Sequence, residues 1–113
     1  MDTGSLRVDI TEHEERPVVV ISGELDGYSG GLASAYLLRQ VEQQKSAHWV
    51  IDLSEVAFVD SSGLQLLLAT RKAVTGQGSL TLARPSDAVG KVLQLTGLDQ
   101  FFDVDDRAPG SAN

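Results

Sequence analysis

The sequence contains no cysteine at all. Disulfides and cysteine-based zinc sites are therefore excluded. Aromatic residues make up only 5% of its 113 residues, so a core drawn from a 42% hydrophobic complement must be mainly aliphatic. Positive charge is scarce: nine Lys and Arg stand against sixteen Asp and Glu, a net charge of −7. No basic stripe exists to neutralise phosphates, which argues against nucleic-acid binding. No apolar run approaches the roughly 20 residues that cross a bilayer, so no membrane insertion is expected. Met1-Asp2-Thr3-Gly4-Ser5 lacks the positive and apolar regions of a signal peptide, and a cytoplasmic protein is the simplest expectation. His13 and His48 lack ligand spacing. Neither a metal nor a cofactor is expected.

What remains reads as one α/β domain. Leu6, Val8 and Ile10 alternate with polar residues as a half-buried strand. Thr11 to Arg16, ending at Pro17, reads as a hairpin loop, and Val18 to Ile21 as a second strand. Ser29 is placed to cap a helix from about Gly30 to Lys45, with Ser34, Leu37, Leu38 and Val41 at helical spacing. Trp49 to Leu53 reads as a central strand. Phe58 and Val59, in a short second apolar stretch, anchor the approach to Asp60, and a helix follows from Ser62 to about Thr75. Its main stripe is Leu64, Leu67, Leu68 and Val74, widened by Leu66 and Ala73. A strand at Leu80 to Leu82 precedes a helix opened by Pro85-Ser86, with Val89, Val92 and Leu93 facing the core and Gly97 closing it. Phe101 to Val104 ends the pattern as a short strand. The order is β-β-α-β-α-β-α-β: a single domain over 1–104, with a small mixed sheet and helices packed against it. Residues 105–113 are expected to form a disordered tail.

Asp60-Ser61-Ser62-Gly63 ends the second apolar stretch just before a Leu-rich helix. Two readings apply. Ser61 or Ser62 can simply cap the helix, with Asp60 favouring its dipole. Alternatively, an accessible serine here can accept a phosphate without unfolding the domain, since a helix start favours an anion. A cap needs one hydroxyl and the site has two. Gly63 would remove a side chain where another protein approaches.

Three segments together carry a resemblance. Asp60-Ser61-Ser62-Gly63-Leu64, Gly23-Glu24-Leu25-Asp26 and Leu95-Thr96-Gly97-Leu98-Asp99-Gln100-Phe101-Phe102 occur in order at domain-compatible spacing. From about Leu6 to Val104, the chain resembles the STAS-domain anti-sigma factor antagonists. The resemblance implies the same α/β fold. It also implies that Ser61 is the phosphorylated serine and that the loop of Asp26 lies beside it. The partner-binding set it implies is Asp26, Asp60, Ser61, Ser62, Gly63, Leu64 and Leu66. Leu64 reads foremost as a core residue, and Leu66 is expected partly exposed towards the partner. The implied partners are an ATP-dependent anti-sigma factor serine kinase and a phosphatase that resets the switch. Gly27-Tyr28-Ser29-Gly30-Gly31 departs from the family by being unusually glycine-rich.

Three rivals stand beside this reading. One is a STAS component of a larger signalling scaffold or lipid-transport complex. Another is a small-molecule or nucleotide-binding domain using the glycine-rich loop near Asp26, although no P-loop lysine is present. The third is a hydrolase, because Gly27-Tyr28-Ser29-Gly30-Gly31 fits the nucleophile-elbow pattern. That would require Glu42 and His48 to complete a triad in a chain about half the needed size. No enzyme is expected.

Overall fold

A computed structural model of the chain describes residues 1–61 and 63–107. The elements run β1 (Leu6–His13), β2 (Arg16–Leu25), α1 (Gly27–Gln44), β3 (His48–Val59), α2 (Leu64–Val74), β4 (Ser79–Ala83), α3 (Asp87–Thr96) and β5 (Asp103–Asp105), with a 3₁₀ turn at Leu98–Gln100. The strands form one sheet in chain order, β1-β2-β3-β4-β5. Only β1 and β2 are antiparallel; the other neighbours are parallel and joined through helices. This is the expected order and the expected mixed sheet.

Register explains where the core lies. Val8 pairs with Ile21, Val19 with Ile51, Trp49 with Leu80, and Ile51 with Leu82. Paired residues share a face, and all of these are buried in one cluster. The same cluster takes Ala33, Leu37 and Val41 from α1, Leu64, Leu66, Leu67 and Val74 from α2, and Val89 and Leu93 from α3. The helices therefore cover one face of the sheet. Val20, Val50 and Thr81, on the alternate positions, are only half-buried. Among the described residues, no helix is long and apolar enough to cross a membrane.

Several local expectations are corrected. β1 and β2 continue through most of the predicted loop and meet at a two-residue turn, Glu14-Glu15. Both residues have positive φ, 52° and 66°. That conformation matches the twist of a hairpin, but without glycine it costs about 1–2 kcal/mol per residue. β3 is one strand of 12 residues rather than two stretches. Its register against β2 shifts between Val20 and Ser22, and again between Gly23 and Glu24. These bulges break the period of two. They bury Val56 and Val59 and leave Phe58 at 48% exposure, so of the two residues expected to anchor the approach to Asp60, Val59 is held in the core and Phe58 is not. On α1, Ala33 rather than Ser34 continues the buried stripe, and Leu38 is exposed. α3 is as expected: Ser86 caps it by accepting from the Val89 N–H, and Gly97 closes it at φ 77°. β5 starts after Phe101 and includes Asp105. Most of the expected tail, residues 108–113, lies outside the described residues.

One charged group is buried on the other face of the sheet, beside Val20 and Ala83. Asp52 of β3 is only 4% exposed. Its Oδ2 accepts from Arg84 Nη2 at 2.6 Å and its Oδ1 from the Ser54 N–H at 3.0 Å. Burial alone would push this carboxyl up, but the guanidinium of Arg84 and the bonds from Ser54 outweigh it and hold the carboxyl below its ordinary value. A carboxylate held low adds stability that is complete above the unfolded-state pKa near ~4 and is lost as pH falls through the lower folded value. Denaturant titrations from pH 7 down to pH 2 should show the wild type losing this increment below about pH 4. Asp52→Asn should start roughly 1–2 kcal/mol less stable, a charged hydrogen bond discounted for the exposure of Arg84. Its profile should be correspondingly flatter in the acid range. Equal slopes for the two proteins would refute the assignment.

Candidate functional site

The carboxyl ends of β2 and β3 bring two of the three sequence motifs side by side. Leu25 pairs with Val59, and the Asp60 N–H donates to the Leu25 carbonyl at 3.4 Å. Gly23-Glu24-Leu25-Asp26 thus ends against Asp60-Ser61-Ser62-Gly63. Gly23 has φ +101°, and a Cβ there would lie 2.1 Å from the Ser5 carbonyl oxygen. Only glycine meets both demands. The Glu24 N–H donates to that same Ser5 carbonyl at 2.8 Å, which ties the start of the chain to this corner.

Each motif ends in an aspartate that organises the next helix. Asp26 caps α1, its Oδ1 accepting from the Ser29 N–H at 2.8 Å. The helix consequently starts at Gly27, three residues before the expected start, and its cap is Asp26 rather than Ser29. Ser29 is buried, with its Oγ 3.1 Å from Ser5 Oγ. A hydroxyl so enclosed, with the exposed His48 bonded instead to Ser79, cannot serve as the nucleophile of a triad. The glycine-rich segment forms the first turn of a helix and not a phosphate-cradling loop.

Asp60 plays the matching role before α2. Its Oδ1 accepts from the Gly63 N–H at 2.7 Å, and its carbonyl accepts from the Leu64 N–H at 3.2 Å. The capping bond therefore comes from Asp60, and the hydroxyl of Ser61 makes none among the described residues. Ser61 is exposed. Ser62 lies outside the described residues.

Gly63 corrects an expectation. It is buried, and a Cβ on it would lie 2.0 Å from the Leu25 carbonyl oxygen. The fold itself requires this glycine, because the turn is pressed onto the end of β2. Gly30 of α1 stands opposite, with its would-be Cβ 3.5 Å from the Gly63 Cα. The two helix starts meet through glycines. Leu64 is buried, as expected of a core residue. Leu66 is 1% exposed and also belongs to the core, contrary to its expected place on the partner-facing surface. α2 packs against α1 as well as the sheet, so more than one narrow stripe of it is inside.

The third motif lies elsewhere. Phe102 is buried in the core, whereas the Phe101 ring stacks under Arg71 at 4.0 Å, in the last turn of α2 and far along that helix from Ser61. Its role is structural. The site that the structure assembles is therefore Asp26, Asp60, the exposed Ser61 and the buried Gly63, with Glu24 exposed beside them.

Comparison with known proteins identifies the fold and the family. The STAS domain family model matches residues 7–108. An anti-sigma-B factor antagonist of Bacillus subtilis (strain 168) is 33% identical over 107 residues, covering 94% of this chain and 96% of that protein. A crystal structure of an anti-sigma factor antagonist from Mycobacterium paratuberculosis superposes with a TM-score of 0.84 at 27% identity, covering 96% of this chain and 92% of the other. The anti-sigma factor antagonist SpoIIAA in its unphosphorylated form superposes with a TM-score of 0.73 at 25% identity, covering 95% of this chain and all of that one.

Proposed function

The chain belongs to the STAS domain family, and from that premise we propose that it is an anti-sigma factor antagonist switched by phosphorylation of Ser61. In its unphosphorylated form it binds an anti-sigma factor that is also an ATP-dependent serine kinase, and a sigma factor is released. Phosphate transfer from ATP to Ser61 Oγ ends the interaction, and a phosphatase restores it. The protein is a substrate and a binding module, not a catalyst, and it works in the cytoplasm.

One observation carries this reading: an exposed serine hydroxyl, with no capping bond among the described residues, on a turn fixed from beneath by Asp60 and Gly63. Such a hydroxyl can be modified while the turn keeps its bonds. A phosphoserine adds about −1.5 to −2 charges. A carboxylate or ATP phosphate of the partner within about 4 Å would repel each unit charge by about 4 kcal/mol at an effective dielectric of 20. A loss of this size is roughly 100- to 1000-fold in affinity, enough for a switch.

The direct test maps the phosphate. After incubation with the cognate kinase and ATP, tandem mass spectrometry is expected to place one phosphate on Ser61. Modification of Ser62 or Thr70 with Ser61 unmodified would overturn the assignment. So would a chain that remains unmodified while a known substrate of the same kinase is labelled.

A further inference from the structure

The turn at Ser61 leaves the helix beside it unexplained. The first three turns of α1, from Gly27 to Leu38, contain no charged residue. A helix on the outside of a domain normally shows water a charged or polar face. The inner side of this one buries Ser29, Gly30, Ala33 and Leu37. Its outer side shows Tyr28 and Leu32, one turn apart, at 78% and 46% exposure.

Gly31 lies between them and is also exposed. Its φ is not positive, and a Cβ there would meet nothing within 4 Å. Glycine costs a helix stability relative to alanine, and here the fold gains nothing in return. A bare backbone on an exposed apolar face suits close approach by another molecule.

The surroundings indicate which kind. Arg39, exposed three turns after Tyr28, bounds the far end of this face, and no Lys or Arg occurs in residues 17–38 or 46–70. Glu24 is exposed, and with Asp26 and Asp60 it joins no ion pair among the described residues. Acidity of this sign disfavours nucleic acid and anionic membranes. It favours a basic protein surface.

We infer that the outer face of α1, centred on Tyr28, Gly31 and Leu32, is the second half of the docking surface and receives an apolar pocket of the anti-sigma factor rimmed by Lys or Arg. The inference rests on the proposed function. It extends the site across the Gly30–Gly63 junction, so that Ser61 occupies one part of a surface spanning both helix starts. Tyr28 is the expected anchor, since exposed tyrosines are enriched among the residues that dominate protein interfaces.

The experiment measures affinity for the cognate anti-sigma factor by calorimetry for wild type, Tyr28→Ala, Leu32→Ala, Gly31→Ala and Ser61→Asp. Melting curves and sedimentation of the chain alone accompany it. Tyr28→Ala and Leu32→Ala should each bind about 10-fold or more weaker while melting like wild type. Gly31→Ala should melt higher yet bind several-fold weaker, a pairing that a purely structural role does not produce. If all three bind within about twofold of wild type while Ser61→Asp is lost, the α1 face is not used and the inference falls, leaving the switch intact. If Tyr28→Ala and Leu32→Ala instead dissolve a wild-type dimer without changing affinity, the face belongs to a second copy and the inference is likewise overturned. Loss in the α1 variants with full binding by Ser61→Asp would support the face and refute the switch.

Discussion

Gly63→Ala is expected to be the most damaging small substitution in the chain's candidate site. The new Cβ would be built 2.0 Å from the Leu25 carbonyl oxygen and 2.8 Å from its carbon. Backbone atoms cannot swing aside as a side-chain end can, so either β2 or the turn must move. Overpacking of this kind costs about 3 kcal/mol or more, which corresponds to a fall in melting temperature of more than about 10 °C for a domain of this size. The shift would also strain the bonds at the same corner, Asp60 Oδ1 to the Gly63 N–H and the Asp60 N–H to the Leu25 carbonyl. Gly31→Ala is the internal control. It adds the same methyl group to open space in a helix and should raise stability by up to about 1 kcal/mol. Differential scanning calorimetry of the two variants tests the contrast. A Gly63→Ala protein that melts within about 2 °C of wild type would show that the turn is not pressed onto β2 as described.

Ser61→Asp should have the largest effect on binding and little on folding. The residue is exposed and engages in no bond that the fold uses among the described residues. A carboxylate near the start of α2 is favoured by the helix dipole by about 0.3–1 kcal/mol. Repulsion from Asp60 opposes this and is screened by solvent. Stability should therefore stay within about 1 kcal/mol of wild type. Affinity for the kinase partner should fall about 100-fold or more, because the interface must desolvate a charge without a counter-ion. Ser61→Ala should bind like wild type and accept no phosphate. A Ser61→Asp protein that melts far below wild type would make the serine structural. One that binds as tightly as Ser61→Ala would remove charge from the mechanism.

The element order, the central strand at Trp49 and the closing Gly97 were legible because each has a strong local cause: apolar periodicity, or a backbone conformation that glycine favours. The site was legible as a motif but not as a geometry. Ser29, Asp26, Ser61 and Asp60 can all cap a helix, and local sequence does not rank them. Contacts distant in sequence decide. Ser5 captures the hydroxyl of Ser29, and the carboxylates of Asp26 and Asp60 take the helix amides. Leu66 was misread because it lies to one side of the main stripe of α2, whereas this helix is enclosed by both the sheet and α1. Thr70 shows the same enclosure: it is buried in an apolar setting, where its hydroxyl donates to the Leu66 carbonyl at 2.7 Å. The reach of β3 was hidden because its two bulges erase the alternation by which strands are recognised.

Strand order in the sheet is also strand order in the chain. Each strand therefore finds its partner in the one made immediately before it, across a two-residue turn or a single helix. No strand must be inserted between two already paired, and no early segment has to wait for a distant one. Closing such successive, moderate loops costs less chain entropy than long-range pairing. A nascent chain emerging from the ribosome could add one βα step at a time to a growing edge. The exposed edge would be temporary at every stage until β5 forms, a strand of three residues that includes two aspartates. Short length and charge at the final edge discourage a further strand from another molecule.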